Sequence, residues 1–505
     1  MKKITSLFLV LAFIVALASC GKTEKTEPTA TGDDYVLPTK VINSDISLPY
    51  TSAAGFNPYS TKSSLNRDLI PVMFESLFNS TDNGKGKPVL ALNGEINDKN
   101  VTVKLNQGIK FCDGSEFTSA DVKNSFEKAK ACAYYKSELS NVSSVSATDN
   151  YTVVFKLNKA DAMALNVLNF PIAKADGKGY IGTGKYKLAY LDEQPYLAVN
   201  KEHKDYKGSW NQEIALYDMA GVSSPVYPFK ANKISLYKND LSADEYVNLS
   251  SKTVSQGINN LVYIGVNSQW SGSVTSVESV RQAINIGINR KTIAASSFLG
   301  QGTATVTPFK SDFYQLADID IIGVNGSLEK ALGILERAGY TQTDSDGVRS
   351  NGVSKLNVNI IVCTAHPYKL TVAESFKSQL EKLGFGVTIN KYKTAKAFNE
   401  ALKNGRYSFY VGEVQLTSNC DLSGFFTESG ALNYGIDEEM YDVYKDYKNS
   451  VISTTGFIES FSTKIPFLPL FYRKAVVSVN PNISGISEDG ELYSSICDWK
   501  ISKSS

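Results

Sequence analysis

Residues able to do chemistry are sparse and scattered in this chain. It has two histidines, His203 and His366, and six cysteines, none with the close pairwise spacing of a zinc site. No Gly-x-Ser-x-Gly elbow and no His-Glu-x-x-His sequence occurs, so the common forms of serine-hydrolase and zinc-protease chemistry lack their residues. Gly182-x-Gly184 lacks the third glycine of a dinucleotide loop. Acidic residues are plentiful, but no pair is singled out for glycoside hydrolysis. A bare metal ion normally gathers several imidazoles or carboxylates, and the two histidines fall in different expected halves of the chain. The reading is therefore of a protein without catalytic residues, cofactor or metal, with an exported hydrolase as the rival class.

Binding residues must then be held by folded elements, and the sequence marks these well. Apolar residues alternate over Val101 to Leu105, the pattern of a half-buried strand. Thr118-Ser119-Ala120-Asp121 offers a capping box for a helix with Val122, Phe126 and Ala129 on one face. Tyr151 to Leu157 is a second strand, which makes this stretch a small α+β subdomain. Further on, Val280, Ala283, Ile284, Gly287 and Ile288 follow the helical period. Ser327 opens a helix that Gly339 ends. Strands over Leu356 to Cys363, Phe385 to Tyr392 and Tyr407 to Val411 alternate with helices from Pro367 to Leu383 and Ala395 to Lys403. That alternation needs crossovers and predicts a largely parallel sheet covered on both faces. Ligands of such sheets bind beyond the carboxyl ends of the strands, which puts Gly412 to Asp421 at a cleft.

The ends and the composition set the compartment. Lys2 and Lys3 precede an apolar run from Leu7 to Leu17, too short for a permanent span and suited to a secretory signal. Leu17-Ala18-Ser19-Cys20-Gly21 resembles the bacterial lipobox, which implies that Cys20 is acylated and becomes the mature N-terminus, anchored to the outer face of the membrane or in the periplasm. Gly21 to Asp34 holds no large apolar residue and reads as a flexible tether. The remaining chain, of a 505-residue total, is long enough for two lobes. A net charge of +1 leaves no basic footprint for nucleic acid. Cys112 and Cys132 flank the capped helix and are candidates for a disulfide in an oxidising compartment.

Several ordered segments resemble the family 5 solute-binding proteins of ABC importers. Phe56-Asn57-Pro58 with Val72 to Leu77, the stretch Val103 to Val122, and Gly182-Thr183-Gly184-Lys185-Tyr186 are similar to family segments, as are Val280 to Ile284 with Asn289-Arg290, and Pro466 to Leu470. Cys112 stands where His is usual, and Lys185 where Pro is usual. The resemblance implies an α/β, two-lobe clamp of the type II periplasmic-binding kind, with the small subdomain inserted in the first lobe. It divides the chain into a leader (1–19), a tether (20–34), a discontinuous lobe I (35–75, 176–265 and 466–505), the subdomain (76–175) and lobe II (266–465). It also implies ABC permease and ATPase subunits as partners.

The resemblance supplies a test of the solute. Peptide-binding members place an Asp that pairs with the peptide ammonium group at a fixed distance before a second acidic step. Here that step is Asp421-Leu422, and counting back puts Ser418 at the ammonium position and Gln415 at the Trp of the family's Trp-x-x-Asp pattern. A neutral Ser offers no charge-assisted bond. Glu413 is the nearest substitute. Peptide is the first expectation for the ligand, with another small organic solute next, and a surface sensor or chaperone as an alternative role. Candidate ligand contacts are Thr61, Lys62, Ser63 and Ser64 in the loop after Asn57-Pro58, Tyr134 and Tyr135 after the capped helix, and Glu413, Gln415, Thr417 and Ser418.

Overall fold

A computed structural model describes residues 42–79, 83–175, 179–239, 247–488 and 491–502. The leader, Cys20 and the tether lie outside these described residues. No described helix is long and apolar enough to cross a membrane.

The first lobe starts with strand β1 (Ser47–Tyr50) and helix α1 (Ser64–Met73). Ser63 caps α1, its hydroxyl accepting from the Asn66 N–H at 3.4 Å. The subdomain follows: β2 (Ala91–Asn97), β3 (Asn100–Leu105), α2 (Ser119–Ala131), β4 (Val142–Asp149) and β5 (Thr152–Leu157). Its four strands pair antiparallel in the order β2-β3-β5-β4. The expected capping box is present, with the Asp121 carboxylate accepting from the Thr118 N–H at 2.9 Å. Val122, Phe126 and Ala129 of α2 are buried against the sheet.

The chain then returns to β6 (Tyr186–Leu191), β7 (Gln194–Val199) and β8 (Glu213–Asp218), which complete a four-stranded sheet in the order β1-β8-β7-β6. The Gly182-Thr183-Gly184 turn enters this sheet pressed against the end of α1. A Cβ on Gly184 would stand 2.4 Å from the Met73 carbonyl carbon, so only glycine fits there.

After the short β9 (Leu236–Asn239), the long β10 (Lys252–Val266) leaves this lobe and runs on into the second. There follow α3 (Glu278–Gly287), α4 (Arg290–Phe298), α5 (Leu328–Arg337), β11 (Asn357–Cys363), α6 (Pro367–Lys382), β12 (Gly386–Tyr392), α7 (Ala395–Asn404), β13 (Phe409–Gln415), α8 (Glu439–Lys448), α9 (Thr454–Lys464) and the return strand β14 (Phe467–Val479). Their sheet has the order β9-β14-β10-β13-β11-β12, with Gly302–Ala304 added beside β14. Only β13, β11 and β12 are parallel to each other, and β10 and β14 run antiparallel. The expectation of a largely parallel sheet is thereby corrected to a mixed one, because both strands that join the lobes enter it.

Strand β13 also differs from expectation: it ends at Gln415, not at Val411. Gly412 reads as a stop in the sequence, but here it is a packing glycine. A Cβ on it would lie 2.2 Å from the Tyr263 ring, and the residues beyond it stay paired to β10, Gln415 opposite Asn260. The five described cysteines outside the leader are all free, so Cys112 and Cys132 form no disulfide.

Burial shows where the lobes divide. Val254, Val477 and Val479 belong to the core of the first lobe. On the same two strands Val262, Ile264, Leu468 and Leu470 belong to one core of the second lobe, and Leu261 and Tyr263 to the core on the opposite face. Between these groups the β10–β14 register breaks, from Gly257 opposite Lys474 to Leu261 opposite Tyr472. A pairing break between two cores is a local weak point in an otherwise continuous ribbon.

Candidate functional site

A cavity of about 910 Å³ lies where the register breaks, and Gln256 to Asn259 of β10 form part of its wall. Its volume is in the range of sites for small molecules, roughly 300–1,000 Å³. The first lobe contributes Thr61 and Arg67 from the start of α1, and Tyr134, Tyr135 and Glu138 from the turn after α2. The second lobe contributes Gln415, Thr417 and Ser418 from the end of β13, while Glu491 and Tyr493 come from the C-terminal segment.

Six of the expected ligand residues are thus brought together: Thr61, Tyr134, Tyr135, Gln415, Thr417 and Ser418. Four are placed elsewhere. Lys62 is exposed, with its carbonyl accepting from Arg67 Nη1 at 2.7 Å. Ser63 is the helix cap and Ser64 is the first, exposed residue of α1. Glu413 is held back along the strand from Gln415, where its carboxylate pairs with Arg473 of β14, accepts from the Tyr368 hydroxyl, and takes the Asn260 amide at 2.7 Å. Burial pushes the Arg473 guanidinium down to about 10, so this pair is part of the sheet's interior.

Arg67 was not legible as a wall residue. Its guanidinium sits 5.1 Å over the Tyr134 ring, and Tyr134 meets Tyr135 edge to face at 4.9 Å. This holds two aromatic faces toward the cavity by a cation–π contact. Tyr59 donates to the Pro171 carbonyl at 3.0 Å and joins the subdomain to the base of the wall. Thr61 is only 7% exposed, and its Oγ1 has no hydrogen-bond partner.

Beside this cavity the lobes touch through the turn at residues 416–421, and also where the Tyr314 N–H donates to the Asn83 carbonyl at 3.0 Å. The Ser418 N–H donates to Glu138 Oε1 at 2.9 Å, the Ser418 hydroxyl accepts from Asn169 Nδ2 at 2.8 Å, and its carbonyl accepts from Asn166 Nδ2 at 3.2 Å. Next along the turn, Asn419 Nδ2 donates to Asp161 Oδ2 at 2.5 Å. The other Asp161 oxygen pairs with Lys448 Nζ of α8 at 2.8 Å. Met163 of the subdomain is buried in the second lobe's aromatic core with Phe313 and Leu416. Asp421 would be pushed up by burial, but hydrogen bonds from Tyr444 and Ser423, with Lys448 nearby, hold its carboxyl below the ordinary value.

Two carboxyls on the wall are shifted the other way. Burial raises Glu138, against the opposing hydrogen bonds of Ser418 and Asn169. Burial, and then the neighbouring Asp68 carboxylate, push Glu491 up to about 7. Glu491 stands open to the cavity yet is ringed by protein, which explains both its exposure and its shift. Neither residue carries a local signal: Glu138 meets Ser418 from 280 positions away. Among the described residues no group of three or more His, Cys, Asp or Glu is gathered as for a metal ion. His203 is buried behind the wall against Glu75, 3.2 Å away.

Comparison with known proteins places this geometry. The family described as bacterial extracellular solute-binding proteins, family 5 (middle region), matches residues 85–429. The oligopeptide-binding protein AppA of Bacillus subtilis is 24% identical over 313 residues, 56% of this chain and 57% of that protein. The glutathione-binding protein GsiB of Escherichia coli K12 is 24% identical over 281 residues, 49% of this chain and 52% of that protein. The chain thus spans between half and two thirds of the length of these curated relatives. An ABC transporter substrate-binding protein from Sinorhizobium meliloti has the same fold, with a TM-score of 0.71 at 17% identity over 91% of this chain and all of that one.

Proposed function

The chain belongs to family 5 of the bacterial extracellular solute-binding proteins, and from that premise we propose that it captures a peptide-type solute between its two lobes for an ABC importer. The observation that carries the reading is the cavity itself, walled by both lobes and by β10, one of the two strands that connect them. We take the hinge to be the register break at Gly257–Leu261, a few residues ahead of Val266-Asn267. Closure needs no reaction. A solute favours the closed form only as far as it binds that form better, and micromolar capture corresponds to about −8 kcal/mol. A few hydrogen bonds and the Tyr134–Tyr135 faces are enough for that.

The relatives named for oligopeptides and for glutathione, itself a peptide, support the peptide class. Members of the family work outside the cytoplasm. The leader and Cys20 support a finer reading, a lipid-anchored protein on the outer face of the cell membrane or in the periplasm that presents its closed form to ABC permease and ATPase subunits. Mass spectrometry of solutes that co-purify with the protein tests the central reading. Peptides of two to five residues are expected. A protein that returns its solute chemically changed would overturn it in favour of an enzyme.

A further inference from the structure

Resting on the reading of the molecule as two hinged lobes, we propose that Glu413 is the positioning residue of the hinge. Its carboxylate clasps both connecting strands just beyond the register break and so confines the pivot to residues 257–259.

The break leaves three residues of β10, Ile258 to Asn260, opposite the single residue Arg473 of β14. On its other edge β10 pairs with β13, but that pairing starts only at Asn260, opposite Gln415. One further bond reaches back, from the Leu416 N–H to the Asn259 carbonyl at 2.9 Å. Residues 257–259 are thus the stretch of the connection with the least ladder around it, where local bending is easiest. Just beyond them, side chains take over from the backbone pairing. Arg473 of β14 and Asn260 Nδ2 of β10, the latter at 2.7 Å, both donate to Glu413 Oε1. The Tyr368 hydroxyl of α6 donates to Oε2. A residue of β13, which belongs to the second lobe alone, therefore grips one residue from each connecting strand. The grip is dry: the Arg473 side chain is 4% exposed, and its guanidinium lies 5.3 Å over the Phe298 ring.

A buried ion pair adds little net stability, because desolvation offsets most of the attraction, but parting it leaves a charge buried alone and is costly. Bending at Asn260 or Arg473 would part this pair. Bending at 257–259 leaves it whole. The clasp thus adds Asn260 and Arg473 to the rigid body of the second lobe and sets where the axis runs. The solute site depends on that axis. Gln256 to Asn259 line the cavity from β10, and Gln415, two residues past Glu413 on the same strand face, lines it from β13. A fixed axis brings the turn at 416–421 back to one register at each closure, the register in which Ser418 meets Glu138.

Amide hydrogen exchange of the whole protein, read by mass spectrometry, tests this on three variants: Glu413→Gln, the double variant Glu413→Gln with Arg473→Met, and Val358→Ala as a control in the core of the same lobe. In Glu413→Gln, exchange at 260–262 and 471–474 should rise about tenfold or more, the effect of one charged hydrogen bond, with β11 within about threefold of the wild type. Val358→Ala should do the reverse. The double variant buries no lone charge and should regain the wild-type melting temperature. It should nevertheless keep the fast exchange at the hinge and bind a tripeptide mixture about threefold or more weakly by calorimetry. If its exchange returns to wild type along with its melting temperature, the pair is packing only and the inference falls. It falls too if Glu413→Gln raises exchange evenly over the sheet, or not at all. Small-angle scattering of the wild type separates this from the reading beneath it. A radius that shrinks when tripeptides bind keeps hinged capture in place even where the clasp fails, and a radius unchanged by bound tripeptides ends both.

Discussion

Asp161 and Glu138 are both carboxylates of the subdomain, and both reach across to the same turn of the second lobe. They meet adjacent residues there, Asn419 and Ser418. Asp161 is 3% exposed, with both oxygens taken, one by Asn419 and one by Lys448. Glu138 is half-buried and lines the cavity, with Oε1 taken by the Ser418 N–H and Asn169 Nδ2 and no cation paired to it among the described residues. The first is a closed joint. The second is a joint without an ion pair of its own, on a wall that also carries Arg67, Lys185 and Lys204. Two acidic groups of one subdomain thus differ: one is paired to a cation across the joint, and the other joins the lobes through hydrogen bonds alone.

The largest effect should come from breaking the closed joint. Asp161→Ala leaves the Lys448 ammonium against a buried face with no counter-charge, at a cost of about 3 kcal/mol, the usual loss for half of a buried pair. The open form can return Lys448 to water, so the cost falls on closure. Calorimetry should show every ligand weakened about a hundredfold, peptides with free and with acetylated amino termini alike. Small-angle scattering of the ligand-free protein should show a larger radius. Lys448→Met in the same chain should restore most of the loss by removing the orphaned charge. A defect confined to one of these series would mean that the joint acts on the solute and not on closure.

How much of this was legible in the sequence follows from the range of each interaction. The Thr118 capping box, the Ser327 cap and the period of Val280, Ala283 and Ile284 act within one or two turns, and the structure has each of them. The end of β13 was misread because the reason for Gly412 is the Tyr263 ring, 149 positions earlier in the chain and pressed against it across the strand pair. Strand parity puts Glu413 on the face of Gln415, and what keeps it from the cavity is its capture by Arg473, Tyr368 and Asn260, all distant in sequence. Counting along the chain put Ser418 and Gln415 near the cavity, since the turn after a sheet strand has a place set by topology. Nothing in the local pattern around Tyr134-Tyr135 marks Glu138 or the need for Asn169, because both act through contacts made only when the lobes come together.

A smaller effect separates the hydroxyl of Ser418 from its backbone. The N–H that holds Glu138 survives in Ser418→Ala, while the bond from Asn169 Nδ2 to the hydroxyl is lost. The expected cost is about 0.5–1.5 kcal/mol, that of one neutral hydrogen bond. If the hydroxyl serves only Asn169, titration calorimetry should show equal losses for free and acetylated peptides, toward the lower end of that range. If it also touches the solute, one series should lose more than the other. Unchanged affinity in both series would take the Ser418 hydroxyl out of the joint altogether.

The smallest effect concerns the wall beside Glu138. Glu491 titrates at about 7 in the folded protein against 4.5 for the free side chain, with burial and Asp68 as the causes. Between these values the folded chain binds the proton that the unfolded chain has released, so stability falls as pH rises from about 4.5 to 7 and is flat above. Because the side chain stands open to the cavity, solvent screens it, and the total change should stay below about 1 kcal/mol. Asp68 and Glu138 are raised by burial too and slope the same way, so the wild-type curve alone does not isolate Glu491. Subtracting the curve of Glu491→Gln does: thermal melts across this range should give a difference that declines toward neutral pH. A flat difference would show that Glu491 is fully hydrated, and would leave Glu138 as the charged group on which the contrast with Asp161 turns.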